Sequence, residues 1–269
     1  MGLATNCKNL NAARKKKDNE YYTPVELVRK ELNNYNFRGK RVFCPCDGPD
    51  SAFVQYFHEM GVPVTWRQYA HPFNLFGERQ PLRSSTFEED SEYLQGLSDC
   101  DIVATNPPFS KFVDFICSLI RRKKKFIVLG DKLEFHKKPL FPLLQRGEIW
   151  GGYNCDRGMW FIRPSGERVQ VGSSWYTNYK KPERPPFEPE STCAELKAAG
   201  KWKFYDSRPE VLFLPAVQDF PADYGGKVAV PVNSFYRFED EYDFIEAIPS
   251  GKVEGKDVFA RLVIRRKYE

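Results

Sequence analysis

The sequence predicts an α/β fold: a mostly parallel sheet with a C-terminal antiparallel hairpin, plus a smaller C-terminal mixed region. Three observations predict it. Short, fully apolar runs such as Ile102, Val103 and Ala104, or Phe126, Ile127, Val128 and Leu129, have the pattern of strands buried on both faces. They alternate with stretches of helical period, clearest in Phe112, Phe115, Ile116, Leu119 and Ile120. From Met159 onward the rhythm changes to short strands separated by turn residues.

Taken in order, Thr23, Pro24, Val25 and Glu26 have the form of a capping box, with Pro24 in the first helical position. Val25, Val28, Leu32 and Tyr35 extend it into a helix over residues 24–35. Residues 41–44 read as a strand, and Pro45, Cys46, Asp47, Gly48, Pro49 and Asp50 as the loop that leaves it. Phe53, Tyr56, Phe57 and Met60 mark a helix that begins at Ser51 and stops near Gly61. A second strand is expected over 62–69, whereas residues 70–98 give no clear pattern. A strand over 101–105, a helix over 110–121 and a strand over 126–129 follow. Residues 159–162 and 169–171 flank Pro164, Ser165, Gly166 and Glu167 as a hairpin. Residues 180–189 carry four prolines among charges and read as an exposed linker. Beyond them, 211–214, 228–230 and 259–264 are strand candidates without helical rhythm. The expected organisation is a basic N-terminal tail (1–18), a core (19–179) and a C-terminal region (180–269).

The 269 residues can bury a sizeable core, and 41% hydrophobic with 15% aromatic content describes a folded chain. No apolar run reaches membrane-span length, and residues 1–17 lack the apolar core of a secretory signal. Seven cysteines without metal-finger spacing, and three scattered histidines, lead us to expect no metal, reduced thiols and a cytoplasmic location. A net charge of +5, from 41 basic and 36 acidic residues, is compatible with a polyanionic partner but too mild to argue for one.

The strand at 101–105 ends in Asn106, Pro107, Pro108 and Phe109. Ligands of open α/β sheets bind beyond the carboxyl ends of strands. There, the Asn106 side-chain oxygen and a main-chain carbonyl can accept both hydrogens of an exocyclic amine on a flat ring, with Phe109 as a stacking face. Asn-Pro and Pro-Pro are also ordinary turn formers, and a core residue below a turn is the second reading of Phe109, behind the stacking one.

These residues resemble the adenine-specific DNA methyltransferases of the EcoRI-methylase type, and the resemblance runs from Asn19 onward. Tyr21, Tyr22, Thr23 and Pro24 look like the family's N-terminal cofactor motif. Cys44 to Asp47, before Ser51, Ala52 and Phe53, look like its first-strand motif, and Asn106 to Phe109 like its catalytic element. Residues 125–130, 141–144 with Ile149 and Trp150, 175–178, 223–226 and 260–267 follow in the family's order.

The resemblance implies a class I, Rossmann-like methyltransferase sheet, S-adenosylmethionine as donor, and N6 of adenine in double-stranded DNA as acceptor, reached by base flipping. It implies that Asn106 and the Pro107 carbonyl hold the amine while Pro108 and Phe109 complete the catalytic element. Tyr22, Thr23 and Pro24 would stand by the methionine end of the donor, with Pro45, Cys46, Asp47 and Ser51 beneath it. It also implies either a partner restriction nuclease or an orphan enzyme of a phage or mobile element.

Some features depart from the pattern. Cys44 and Cys46 stand where relatives carry an acid or a glycine turn, and no carboxylate closes the second strand. No acid precedes Phe87, so Glu88 or Asp90 is the substitute. Target recognition is expected after about Tyr179, with Arg184, Lys197, Lys201, Lys203 and Arg208 as cations. RNA or a protein glutamine as acceptor, or a non-catalytic homologue that only binds, are the alternatives.

Overall fold

The computed structural model describes residues 22–67, 90–155, 158–163 and 165–267. Expectations on residues 14–17, Tyr21, 68–69, 86–89 and Pro164 lie outside them. The first half of the chain alternates α1 (Val25–Leu32), β1 (Val42–Cys44), α2 (Ala52–Glu59), β2 (Val64–Trp66), α3 (Ser91–Asp99), β3 (Ile102–Thr105), α4 (Phe112–Arg121) and β4 (Lys125–Asp131). The four strands pair in parallel in the order β2-β1-β3-β4.

Successive side chains of a strand point to opposite faces, and the core divides accordingly. Val42, Ile102, Ala104, Ile127 and Leu129 pack against Val28 and Leu32 of α1 and Phe53 and Phe57 of α2. Phe43, Val103, Phe126 and Val128 pack against Tyr93 and Leu97 of α3 and Phe115 and Leu119 of α4. With helices on both faces, continuous apolar runs are what these strands require. Ser51 caps α2 by accepting from the Val54 N–H at 3.3 Å. Gly61, at φ +64°, turns the chain out of that helix.

The capping box at Thr23 does not form. Pro24 is the N-cap of α1, no side chain caps it, and the helix ends at Leu32 rather than at residue 35. Residues 109–111 form a single 3₁₀ turn ahead of α4. The expected hairpin pairs antiparallel as β6 (Met159–Ile162) and β7 (Arg168–Val171), but in a two-stranded sheet of its own. It is β8 (Ser173–Thr177) that lies antiparallel on β4, and β5 (Trp150–Gly151) that pairs with β8 to complete six strands.

A second sheet of five strands gathers β9 (Lys203–Tyr205), β10 (Arg208–Phe213), β11 (Lys227–Pro231), β12 (Tyr242–Val253) and β13 (Lys256–Arg266) in the order β12-β13-β11-β10-β9. Two short helices, α5 (Phe141–Gln145) and α6 (Cys193–Ala198), lie outside both sheets. Tyr176 of β8 joins the sheets: Phe112 and Phe135 approach its ring to 4.9 and 4.8 Å, and Phe235 lies 4.5 Å from Phe135. Leu212, Val228, Leu262 and Ile264 of the second sheet belong to the same cluster. The stretch 180–189 is irregular, but it is not a free linker. Pro182 is buried, and Phe187 packs its ring against Phe220 and Phe238. No helix among the described residues is long and apolar enough to cross a membrane.

One buried carboxylate fastens α1 to the loop after β5. Glu31 is fully buried and accepts from the Tyr35 hydroxyl (2.9 Å), the backbone N–H groups of Tyr153 (2.7 Å) and Asn154 (2.8 Å), and the Asn154 side chain (2.8 Å). A Cβ on Gly152 would stand 2.2 Å from Glu31 Oε1 and 2.4 Å from the Trp175 Cβ, so the loop closes only with glycine there. Burial raises the carboxyl's pKa, and the four donors oppose that rise. Each buried donor left without an acceptor costs about 1–3 kcal/mol. Glu31→Ala is therefore expected to lower the unfolding free energy by about 3 kcal/mol or more. Urea denaturation measures it.

Candidate functional site

The chain steps from β1 outward to β2 and then crosses to β3 on the other side of β1. That reversal opens a crevice at the carboxyl ends of β1 and β3, the place where open sheets bind ligands. Two of the segments singled out in the sequence leave the sheet there: residues 45–51 after β1, and residues 106–109 after β3.

The two loops are tied together by one side chain. Asp47 is buried, and its carboxylate accepts from the Thr105 hydroxyl, the Ser51 hydroxyl and the backbone N–H of Asn106. Thr105 in turn accepts the Cys46 N–H at 3.2 Å. The ends of neighbouring strands are thus locked in register by groups next to Asn106. The Asp47 carboxylate and the Ser51 hydroxyl, both expected beneath a cofactor, are engaged with the fold itself. Pro45 is buried in the same turn, and Cys46 is half-buried with its thiol pKa pushed up by burial.

Asn106 is half-buried and Pro107 buried. The Asn106 amide nitrogen donates to Thr23 Oγ1 at 3.1 Å. Its other end, Oδ1, is buried and has no hydrogen-bond partner among the described residues. Thr23 has a hydroxyl to offer because it caps no helix. Tyr22, one residue earlier, bridges Ile162 of β6 through two backbone hydrogen bonds of 2.7 and 3.0 Å, so the hairpin holds this segment beside β3. The Tyr22 ring is 58% exposed and does not pack on the sheet. Pro24 is half-buried. Phe109 is half-buried and lies outside every core cluster, with Pro108 just before it accepting the Lys111 N–H at 2.9 Å.

Other expectations meet different surroundings. Arg67 follows β2, with its guanidinium on Asp90 and Glu92. Asp90 also caps α3, so it is not free to hold an amine. Trp175 and Tyr176, in the stretch 175–178 that follows the family's order, are fully buried core residues. Four of the five C-terminal cations are paired: Arg184 with Glu239, Lys201 with Asp219, Lys203 with Glu254 and Arg208 with Glu246. Lys197 lies 4.9 Å over the Trp202 ring. Sequence reasoning missed that Thr23 serves Asn106 rather than a helix. No local signal could have shown it, because the two residues are 83 positions apart.

The Asn106 amide is thus oriented at its nitrogen and open at its buried oxygen, at the carboxyl end of a strand in a mixed α/β fold. The family model described as adenine-specific methyltransferase EcoRI matches residues 9–69 and 78–266. The chain belongs to that family: it is an adenine-specific DNA methyltransferase. It is similar to the type II methyltransferase M.MpnI of Mycoplasma pneumoniae, 29% identical over 88% of this chain and 85% of that protein. M.MgeORF184P of Mycoplasma genitalium is 28% identical over 83% and 81%. M.EcoRI of Escherichia coli is 26% identical over 98% of both. No solved structure matches the chain.

Burial raises the Asp47 pKa from 3.8 to about 7 against the pull of its three donors. Between those values the folded chain holds a proton that the unfolded chain releases, so this group's contribution to stability falls as pH rises and levels off above about 7. Thermal melts from about pH 5 to about pH 8 are expected to show a smaller fall for Asp47→Asn than for the unchanged protein. Glu239, whose pKa is also raised to about 7 by burial, keeps its own share of the slope in both.

Proposed function

We propose that the chain transfers a methyl group from S-adenosylmethionine to N6 of an adenine flipped out of duplex DNA, with Asn106 Oδ1 and the Pro107 carbonyl holding the amine. The observation that carries this reading is the Asn106 amide, fixed by Thr23 at its nitrogen and left open at its buried oxygen. A buried carbonyl without a donor is costly, and an amine hydrogen is the partner it lacks.

The N6 lone pair is delocalised into the purine ring and is a poor nucleophile. Accepting both of its hydrogens favours a more tetrahedral nitrogen and stabilises the positive charge that develops there. Asparagine is no base near neutral pH, so Asn106 orients and polarises, and the proton leaves to water. Phe109, outside the core, stacks on the extruded ring and contributes about 1–3 kcal/mol. A stacked base cannot reach a crevice at the strand ends, which is why the nucleotide must be extruded.

The residues fit the donor. The six-stranded sheet, with β8 antiparallel to its neighbours, is read as the Rossmann-like sheet of class I methyltransferases, and the crevice lies at its topological reversal. Main-chain groups of Pro45 and Cys46, the start of α2 at Ser51, and Thr23 with Pro24 would hold it, the helix N-terminus suiting its carboxylate. Bound there, S-adenosylmethionine supplies an electrophilic methyl on a sulfonium. Asp47 is assigned to positioning: it holds the Asn106 N–H and so sets the acceptor's height above the sheet.

Methylation of duplex DNA with labelled donor, probed with antibody to N6-methyladenine, tests the reading. Label appearing in RNA or in protein instead of DNA would overturn the acceptor. Asn106→Ala is expected to lower kcat by about 100- to 1,000-fold, as loss of a preorganised partner does, with donor affinity retained on isothermal titration. Thr23→Val removes the acceptor that orients the amide and is expected to lower kcat by about tenfold, whereas Thr23→Ser retains it. Equal losses in the Val and Ser variants would mean that the hydroxyl orients nothing.

A further inference from the structure

The hairpin of β6 and β7 meets the rest of the fold through only one of its faces. Met159 and Phe161 are buried, and Val169 and Val171 pack with them on the cluster that contains Phe53 and Trp175. Alternation along the strands turns Trp160, Ile162, Arg168 and Gln170 the other way. The register sets Trp160 opposite Gln170 and Ile162 opposite Arg168. Tyr22 adds a third row, because it bridges Ile162 antiparallel and directly opposed residues project to the same side.

This face is exposed, aromatic and cationic. Tyr22 is 58% and Trp160 49% exposed, among the few large hydrophobic side chains that the described residues leave in solvent. The Arg168 guanidinium lies 5.9 Å from the centre of the Trp160 ring and pairs with no carboxylate among the described residues. Lys132, which follows β4, joins the exit of the hairpin through its N–H to the Gly172 carbonyl at 3.0 Å and brings a second cation there. The face also adjoins the candidate site, since the residue after Tyr22 is the one that orients Asn106.

We propose that Tyr22, Trp160, Ile162, Arg168 and Gln170 form the surface that binds duplex DNA beside the extruded adenine. This rests on the reading that the acceptor is adenine in duplex DNA. A two-stranded ribbon fits the major groove, about 12 Å wide, where arginine and amide side chains reach base edges and phosphates. Exposed aromatic rings next to the amine acceptor are placed to stack on bases that lose a neighbour when the adenine leaves. Arg184, Lys201, Lys203 and Arg208, the C-terminal cations paired with carboxylates, have less to offer a phosphate than Arg168 does.

The test uses the full chain and a duplex that the enzyme methylates. Arg168→Ala and Trp160→Ala are each expected to raise Kd for the duplex, by fluorescence anisotropy, and KM for DNA by about tenfold. Arg168→Ala should also lower the slope of log Kd against log salt by about one. Affinity for S-adenosylmethionine and the melting temperature should stay at their unchanged values. If Trp160→Ala melts early, the charge reversal Arg168→Glu decides, with an expected rise in Kd of about 100-fold. Wild-type duplex affinity and DNA KM in the Arg168 variants, with methylation of DNA by the unchanged enzyme intact, would overturn this surface alone. Failure of the unchanged enzyme to methylate any duplex would instead remove the functional reading, and the surface with it.

Discussion

The Asp47 carboxylate, set between the carboxyl ends of β1 and β3, is the constraint on which the site depends. It takes the Thr105 and Ser51 hydroxyls and the Asn106 N–H at once, so the cap of α2, the last residue of β3 and Asn106 share one buried centre. A buried carboxylate with three donors has few alternative arrangements, because any movement strands a donor. Asn106 therefore sits on a rigid strand end rather than on an adaptable loop. Its amide is then oriented from the opposite side by Thr23.

That second contact explains what the hairpin is for in the fold. The β6–β7 pair adds nothing to the large sheet, yet its bridge to Tyr22 delivers Thr23 to Asn106. The hairpin is in turn seated by Met159 and Phe161 on the face that α1 and α2 cover. Glu31 anchors α1 to the loop after β5, so the helix that begins at Val25 is fixed at both ends. The orientation of Asn106 thus rests on hydrogen bonds set by the packing of one sheet face.

The second sheet is joined to the first through Tyr176 and the phenylalanines around it, and through Arg184 with Glu239 at the loop after β5. Lys181, Arg184, Lys201, Lys203 and Arg208 face carboxylates of the same region. Exposed pairs of that kind contribute little stability, at most about 1 kcal/mol each, but they do reduce the charge on offer to a polyanion. Exposed aromatic and cationic groups also lie together on the hairpin and Tyr22, the residue before the one that orients Asn106.

Sequence alone determined most of the parallel half of the fold, because β1, β3 and β4 are buried on both faces and apolar without interruption and the helices α1, α2 and α4 show a plain apolar period, whereas α3 fell in the stretch 70–98 that gave none. It also singled out Asn106 to Phe109, since polar group, rigid turn and ring are contiguous. The second sheet was harder to read. The strand β12 mixes buried and exposed positions, and its register shifts between Phe244 and Glu246, so the alternation that marks a strand is broken. The short helix α6 left a signal in Thr192 and Glu195, a capping box that does form. Only the tertiary structure decided which partner each polar side chain takes. Thr23 had a local role available as a cap, and Asp47 one as a turn residue. Both instead serve Asn106, because a hydrogen bond is chosen by what folding brings within about 3 Å, and that is not written in sequence spacing.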